Sequence, residues 1–90
     1  MNNSDIQGII ARLDEILQNK NDEPLDQLGS YIVGATLARD DIESYFNKFP
    51  ELEEVAEFGA ELETLSGTKY ADEVFLKIRL KFDSLKQRTS

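Results

Sequence analysis

Between Leu25 and Phe49 one interval repeats so regularly that little besides helix can satisfy it. Leu25, Leu28, Ile32, Ala35, Arg39, Ile42, Phe46 and Phe49 step by 3, 4, 3, 4, 3, 4 and 3. That spacing keeps all of them on one face of a 3.6-residue turn, and the phase never slips. It predicts one long helix over 23–48. Asp40-Asp41-Ile42-Glu43 would also serve as a fresh helix start, so a kink near Arg39-Asp40 is the alternative. Arg39 holds the one stripe position that ought to be apolar, and must either snorkel to solvent or meet a carboxylate.

The same period recurs on either side. Ser4-Asp5-Ile6-Gln7 has the form of a capping box, and Ile6, Ile10, Leu13 and Leu17, widened by Ile9 and Ile16, make an apolar face behind it. Asn19-Lys20-Asn21-Asp22 reads as a polar loop, and Pro24 suits a first helical turn capped by Asn21 or Asp22. Pro50 cannot donate inside a helix and biases Phe49 toward extended backbone, so it closes one segment and opens the next. Leu52, Val55, Gly59 and Leu62 form the third stripe, broadened by Phe58 and Leu65, with Gly67 a natural left-handed cap after it.

The last stripe is Ala71, Phe75, Ile78, Phe82 and Leu85. A strand competes for 74–82, because Val74, Leu76, Ile78, Leu80 and Phe82 mostly alternate with Phe75, Lys77, Arg79 and Lys81. A lone strand would need a partner strand that this sequence does not supply except from a second copy, which favours helix. Helical stretches near 5–19, 23–48, 51–65 and 69–86, joined by short connections, predict an all-α, up-and-down four-helix bundle. With 90 residues there is room for one core, so the prediction is a single domain over 1–90.

Composition narrows function mainly by exclusion. With no His, Cys or Trp, the chain lacks the commonest general base, the thiolate nucleophile and every zinc ligand other than carboxylate. The expectation is a protein that is not an enzyme and uses no cofactor and no metal. Glu51, Glu54, Glu57 and Glu61 are spaced like carboxylate ligands, but bundle di-metal sites also draw on Glu-x-x-His pairs. The stretch 19–23 lacks the glycine and the distal glutamate of a calcium loop. Asp83-Ser84-Leu85 resembles the tripeptide around the prosthetic-group serine of acyl carrier proteins. In that family the serine opens a helix; here it sits late in the last stripe among basic residues, and reads as an exposed helix position. No apolar run approaches the roughly 18 residues of a membrane span, and no signal-like segment stands at Met1-Asn-Asn-Ser, so the expected location is cytoplasmic.

Charge is divided sharply along the chain. Residues 1–76 hold 17 Asp/Glu against 5 Lys/Arg, whereas 77–90 hold 5 Lys/Arg against Asp83 alone. The overall charge of −8 disfavours nucleic acid and anionic membrane, and makes a basic protein surface the natural partner. A hairpin through Gly67 would bring Glu57 near Lys77 and Glu53 near Lys81. The candidate docking face is Glu53, Glu54, Glu57 and Glu61 on the third helix.

Several apolar residues lie off the stripes. Leu76 and Leu80 fall opposite the last stripe, and Val33 and Leu37 opposite the second. Such second faces mark a doubly buried helix or an oligomer contact. A helix of about 25 residues would also overhang neighbours of about 15, by about 15 Å at 1.5 Å per residue. Tyr45, Phe46 and Phe49 would stand on that overhang. These three, with Leu76 and Leu80, are therefore the candidate apolar anchor or dimer contact, and a homodimer is expected. Ser30, Gly34 and Ala38 form a small-residue row where another helix could approach closely.

The function expected from these features is a non-enzymatic protein interaction module that docks a basic surface. Small size, acidity and helicity are shared with bacterial immunity proteins and antitoxins, so an inhibitor of a basic protein is one alternative. A nucleic-acid or membrane-surface binder using the basic last helix is the other, although Phe75 and Phe82 lie on the core stripe and not between the cations as stacking groups.

Overall fold

A computed structural model of the chain describes residues 3–65 and 67–89, the side chains of residues 3–5 excepted. Among the described residues five helices follow one another: α1 (Asn3–Gln18), α2 (Leu25–Ala35), α3 (Ile42–Lys48), α4 (Pro50–Leu65) and α5 (Tyr70–Thr89). The same residues contain no strand. The segment 74–82 lies wholly inside α5, with Val74, Phe75, Ile78 and Phe82 buried and Leu76 and Leu80 outside. Three- and four-residue spacing thus outweighs alternation there, because burial follows a helical face.

The stripes of α1, α4 and α5 become the core. Ile6, Ile9, Ile10, Leu13, Ile16 and Leu17 are buried in α1, and Leu52, Val55 and Leu62 in α4. Ala71, Phe75, Ile78, Phe82 and Leu85 are buried in α5. The Ser4 capping box lies outside the described side chains. Its Gln7 is described, and donates from Nε2 to the Thr89 carbonyl at 3.1 Å, joining the second turn of α1 to the last of α5. Pro24 stands at the N-cap of α2 with extended backbone, one residue earlier than a first-turn proline, and no side chain caps the helix there.

The single helix expected over 23–48 does not form, and the alternative, a fresh start at Asp40-Asp41, is the one taken, with Asp41 at the N-cap of α3. α2 stops at Ala35 and α3 starts at Ile42, although residues 36–41 contain neither proline nor glycine. Two side chains explain the break. Thr36 is fully buried, and its hydroxyl donates back to the Ile32 carbonyl at 2.7 Å, a local bond that competes with regular helix. Continuing the helix would carry Arg39 onto the apolar stripe, where an ion must be desolvated. The chain instead leaves helical geometry at Thr36 (φ −125°, ψ −79°) and puts Arg39 in solvent. There its guanidinium forks onto Asp41 at 2.9 and 3.0 Å. A turn closed by the Ile42 amide on the Arg39 carbonyl (3.4 Å) then starts α3.

After the break the face has rotated, so Ile42, Tyr45 and Phe49 are buried and Phe46 is only partly covered. Pro50 and Gly67 act as their chemistry requires. Phe49 is extended before the proline (φ −131°, ψ 83°), and Gly67 takes φ +86° after α4.

α4 is the shared wall of the molecule, packed between α2 and α5 and also touching α3, while α1 closes against α2 and α5. Gly29 lies against Gly59 and Leu62, and Gly59 against Ile32, so α2 and α4 cross in antiparallel sense at a point where neither has a side chain. Glu54 meets Lys81 and Glu51 meets Arg88, so α4 and α5 are also antiparallel.

Candidate protein-docking surfaces

The four acids singled out on α4 divide into two groups. Glu53, Glu57 and Glu61 recur every fourth residue, project from the exposed side of α4, and among the described residues pair with no cation. Glu54 is half-buried, and its carboxylate accepts from Lys81 Nζ at 3.0 Å. The register expected from the hairpin was therefore one residue off: Lys81 reaches Glu54, not Glu53. Lys77 does not pair with Glu57, and its ammonium stands 5.9 Å from the centre of the Phe58 ring. Gly67 fixes where the hairpin turns but not how α4 is rotated about its axis, and the burial of Leu52, Val55, Ala56 and Gly59 sets that rotation.

The basic helix turns most of its cations inward to the acidic body. Besides Lys81, Lys86 Nζ lies 3.6 Å from the Asp14 carboxylate on α1. Arg88 makes the most connected contact of all. One guanidinium nitrogen donates to Glu51, another donates to the Lys48 carbonyl at the end of α3 (2.7 Å), and the group stands 5.3 Å from the centre of the Phe49 ring. Burial pushes the Glu51 carboxyl up, but its bond to backbone N–H and the Arg88 guanidinium outweigh this and hold it below its ordinary value. The hydrogen bond from Arg39 likewise lowers Asp41. Nothing local in the sequence signals the Arg88 contact, because its partners are 37 and 40 residues away.

The proposed apolar anchor splits as well. Tyr45 and Phe49 are only 4 and 5% exposed, covered by the chain's own core, and Phe46 packs against that core. The overhang on which they were expected is absent because the helix breaks and α3 folds onto α4. As surfaces for a partner or a second copy, Tyr45 and Phe49 are no longer available. Leu76 and Leu80 are the opposite case, at 62 and 70% exposed one turn apart on α5. Leu37, in the α2–α3 connection, is exposed as well, and so is the row Ser30, Gly34 and Ala38. The close helix approach expected at that row occurs instead at Gly29 and Gly59.

Among the described residues no pocket opens, no cluster of three or more acids converges as a metal site would require, and no helix is long and apolar enough to cross a membrane. Comparison with protein-family models, curated proteins and solved structures finds no match for this chain.

Proposed function

We propose that this protein is a non-enzymatic interaction module that docks a basic protein surface through Glu53, Glu57 and Glu61. The observation that carries the reading is the division of labour among the acids of α4. Glu51 and Glu54 serve the fold through Arg88 and Lys81, whereas Glu53, Glu57 and Glu61 share one exposed edge and pair with no cation of the described chain. Like charges at four-residue spacing slightly destabilise a helix, and a cationic partner would relieve that repulsion. Glu54 thus leaves the docking set proposed from sequence.

The basic helix fits a structural role better than a nucleic-acid role, since Lys81, Lys86 and Arg88 already engage acids or carbonyls of their own chain. In this reading α1, α2, α4 and α5 form an up-and-down four-helix bundle with α3 inserted, and the working unit is a homodimer. The antiparallel pairs and the exposure of Leu37, Leu76 and Leu80 support it.

A charge-matched comparison tests the docking face. Glu53→Gln/Glu57→Gln/Glu61→Gln and a control, Asp22→Asn/Glu43→Gln/Glu73→Gln, remove equal charge from different surfaces. A lysine- and arginine-rich helical peptide on a sensor surface should lose affinity for the first variant and keep it for the second. Equal losses would reduce the face to bulk electrostatics and sink the proposal.

A further inference from the structure

We infer that two copies of this chain exchange halves through residues 36–41, with α1–α2 of one copy packing on α4–α5 of the other. This exchange rests on the homodimer reading above and gives that dimer its mechanism. Sequence and structure conflict at one place. The stripe from Leu25 to Phe49 keeps helical phase throughout, yet the helix is broken in the middle, at a segment with neither proline nor glycine. Thr36-Leu37-Ala38-Arg39-Asp40-Asp41 even contains three strong helix formers, Leu37, Ala38 and Arg39.

Beyond Thr36, whose buried hydroxyl donates to the Ile32 carbonyl, and Arg39, whose guanidinium stands 5.7 Å from the centre of the Tyr45 ring, the closed connection holds little that opposes straightening. Its backbone bonds are Thr36 and Ala38 amides on the Val33 carbonyl, Arg39 on Thr36 and Ile42 on Arg39, while the amides of Leu37, Asp40 and Asp41 have no backbone acceptor among the described residues. Leu37 is exposed, and the Arg39–Asp41 fork lies in solvent, where such a pair contributes little. Straightened, α2 and α3 become one helix in which these amides gain intrahelical acceptors, while Arg39, back on the stripe, must snorkel out toward Glu43 one turn on.

Every other contact is available twice. The α2–α4 crossing at Gly29 and Gly59, the Gln7–Thr89 bond and the Lys86–Asp14 pair all join residues before the connection to residues after it. They re-form between copies without alteration, so the exchange is decided at the connection alone. The two straightened connections cross at the dyad, where Leu37 and the small exposed residues Gly34 and Ala38 let the helices approach.

One substitution separates closed from exchanged forms. Asp41 has φ −97° and ψ 7°, the third position of a type I turn, which puts Asp40 at the second position, the one that favours proline. Asp40→Pro therefore suits the closed connection and interrupts the straightened helix. Asp40→Ala/Asp41→Ala removes the fork and favours the straight form. With no cysteine in the sequence, Asp14→Cys/Lys86→Cys places a reporter pair across the exchanged halves.

The reporter pair is added to all three backgrounds. The dimer fraction is measured by light scattering over a wide concentration range, then a short bis-maleimide is added and denaturing gels are run. The expected result is a dimer favoured by the alanine pair and weakened at least about 100-fold by Asp40→Pro, which keeps its helical circular dichroism and melts no lower. Cross-links in the dimer should join two chains. A dimer whose links stay within one chain would overturn the exchange and leave the homodimer standing. A monomer at every concentration, even with the alanine pair, would overturn both.

Discussion

A methyl group on Gly29 would stand 2.6 Å from the carbonyl oxygen of Gly59 and 2.8 Å from the Leu62 Cβ. Neither obstacle is the far end of a flexible side chain, so α2 and α4 would have to move apart. Gly29→Ala should gain about 1 kcal/mol of helix propensity and lose more to overpacking, for a net loss of about 2 kcal/mol. At Gly34, in the same helix, a methyl group would meet nothing of its own chain within 4 Å, so Gly34→Ala should stabilise the single chain by about 0.5–1 kcal/mol. Urea unfolding followed by circular dichroism checks both, and equal signs would refute the crossing.

Arg88 should matter to stability and to its pH dependence. Arg88→Met removes the bonds to Glu51 and to the Lys48 carbonyl, at a cost of about 1 kcal/mol once the exposure of the group is allowed for. Because the fold lowers the Glu51 carboxyl below its ordinary 4.5, its contribution is complete above that value and disappears as pH falls through the lowered one. The wild-type urea midpoint should therefore drop on that acid limb, and Arg88→Met should flatten part of the drop. Parallel acid limbs would show that the guanidinium does not set the Glu51 titration.

Phe49 and Leu80 should behave oppositely. Phe49→Ala empties part of the core and should cost about 3 kcal/mol or more. Leu80→Ser changes an exposed position and should alter stability by no more than about 0.5 kcal/mol. Thermal melts of the two variants decide which of these apolar residues remains free to meet another molecule.

How far the sequence could be read depended on the range of the interactions. The faces of α1, α4 and α5 were legible because a single period assigns Ile6 to Leu17, Leu52 to Leu62 and Ala71 to Leu85 to the interior. Gly67 and Pro50 were legible because their backbone chemistry leaves few choices. The break between α2 and α3 was legible only as the alternative start at Asp40-Asp41-Ile42-Glu43, since what decides for it is a buried Thr36 hydroxyl and the cost of burying Arg39, both properties of the assembled core. From that miss followed the misplaced aromatic overhang. Lys81 choosing Glu54 over Glu53 is a matter of helix rotation, which spacing within one helix cannot fix.

The position of α4 against α2, α3 and α5 also sets the order in which the backbone can be released to deuterium. Amides from Leu52 to Leu62 should exchange only when the whole structure comes apart, which would make their rate a gauge of global stability. α3, seven residues resting on α4, opens at far smaller cost, and its amides should exchange long before those of the wall behind it.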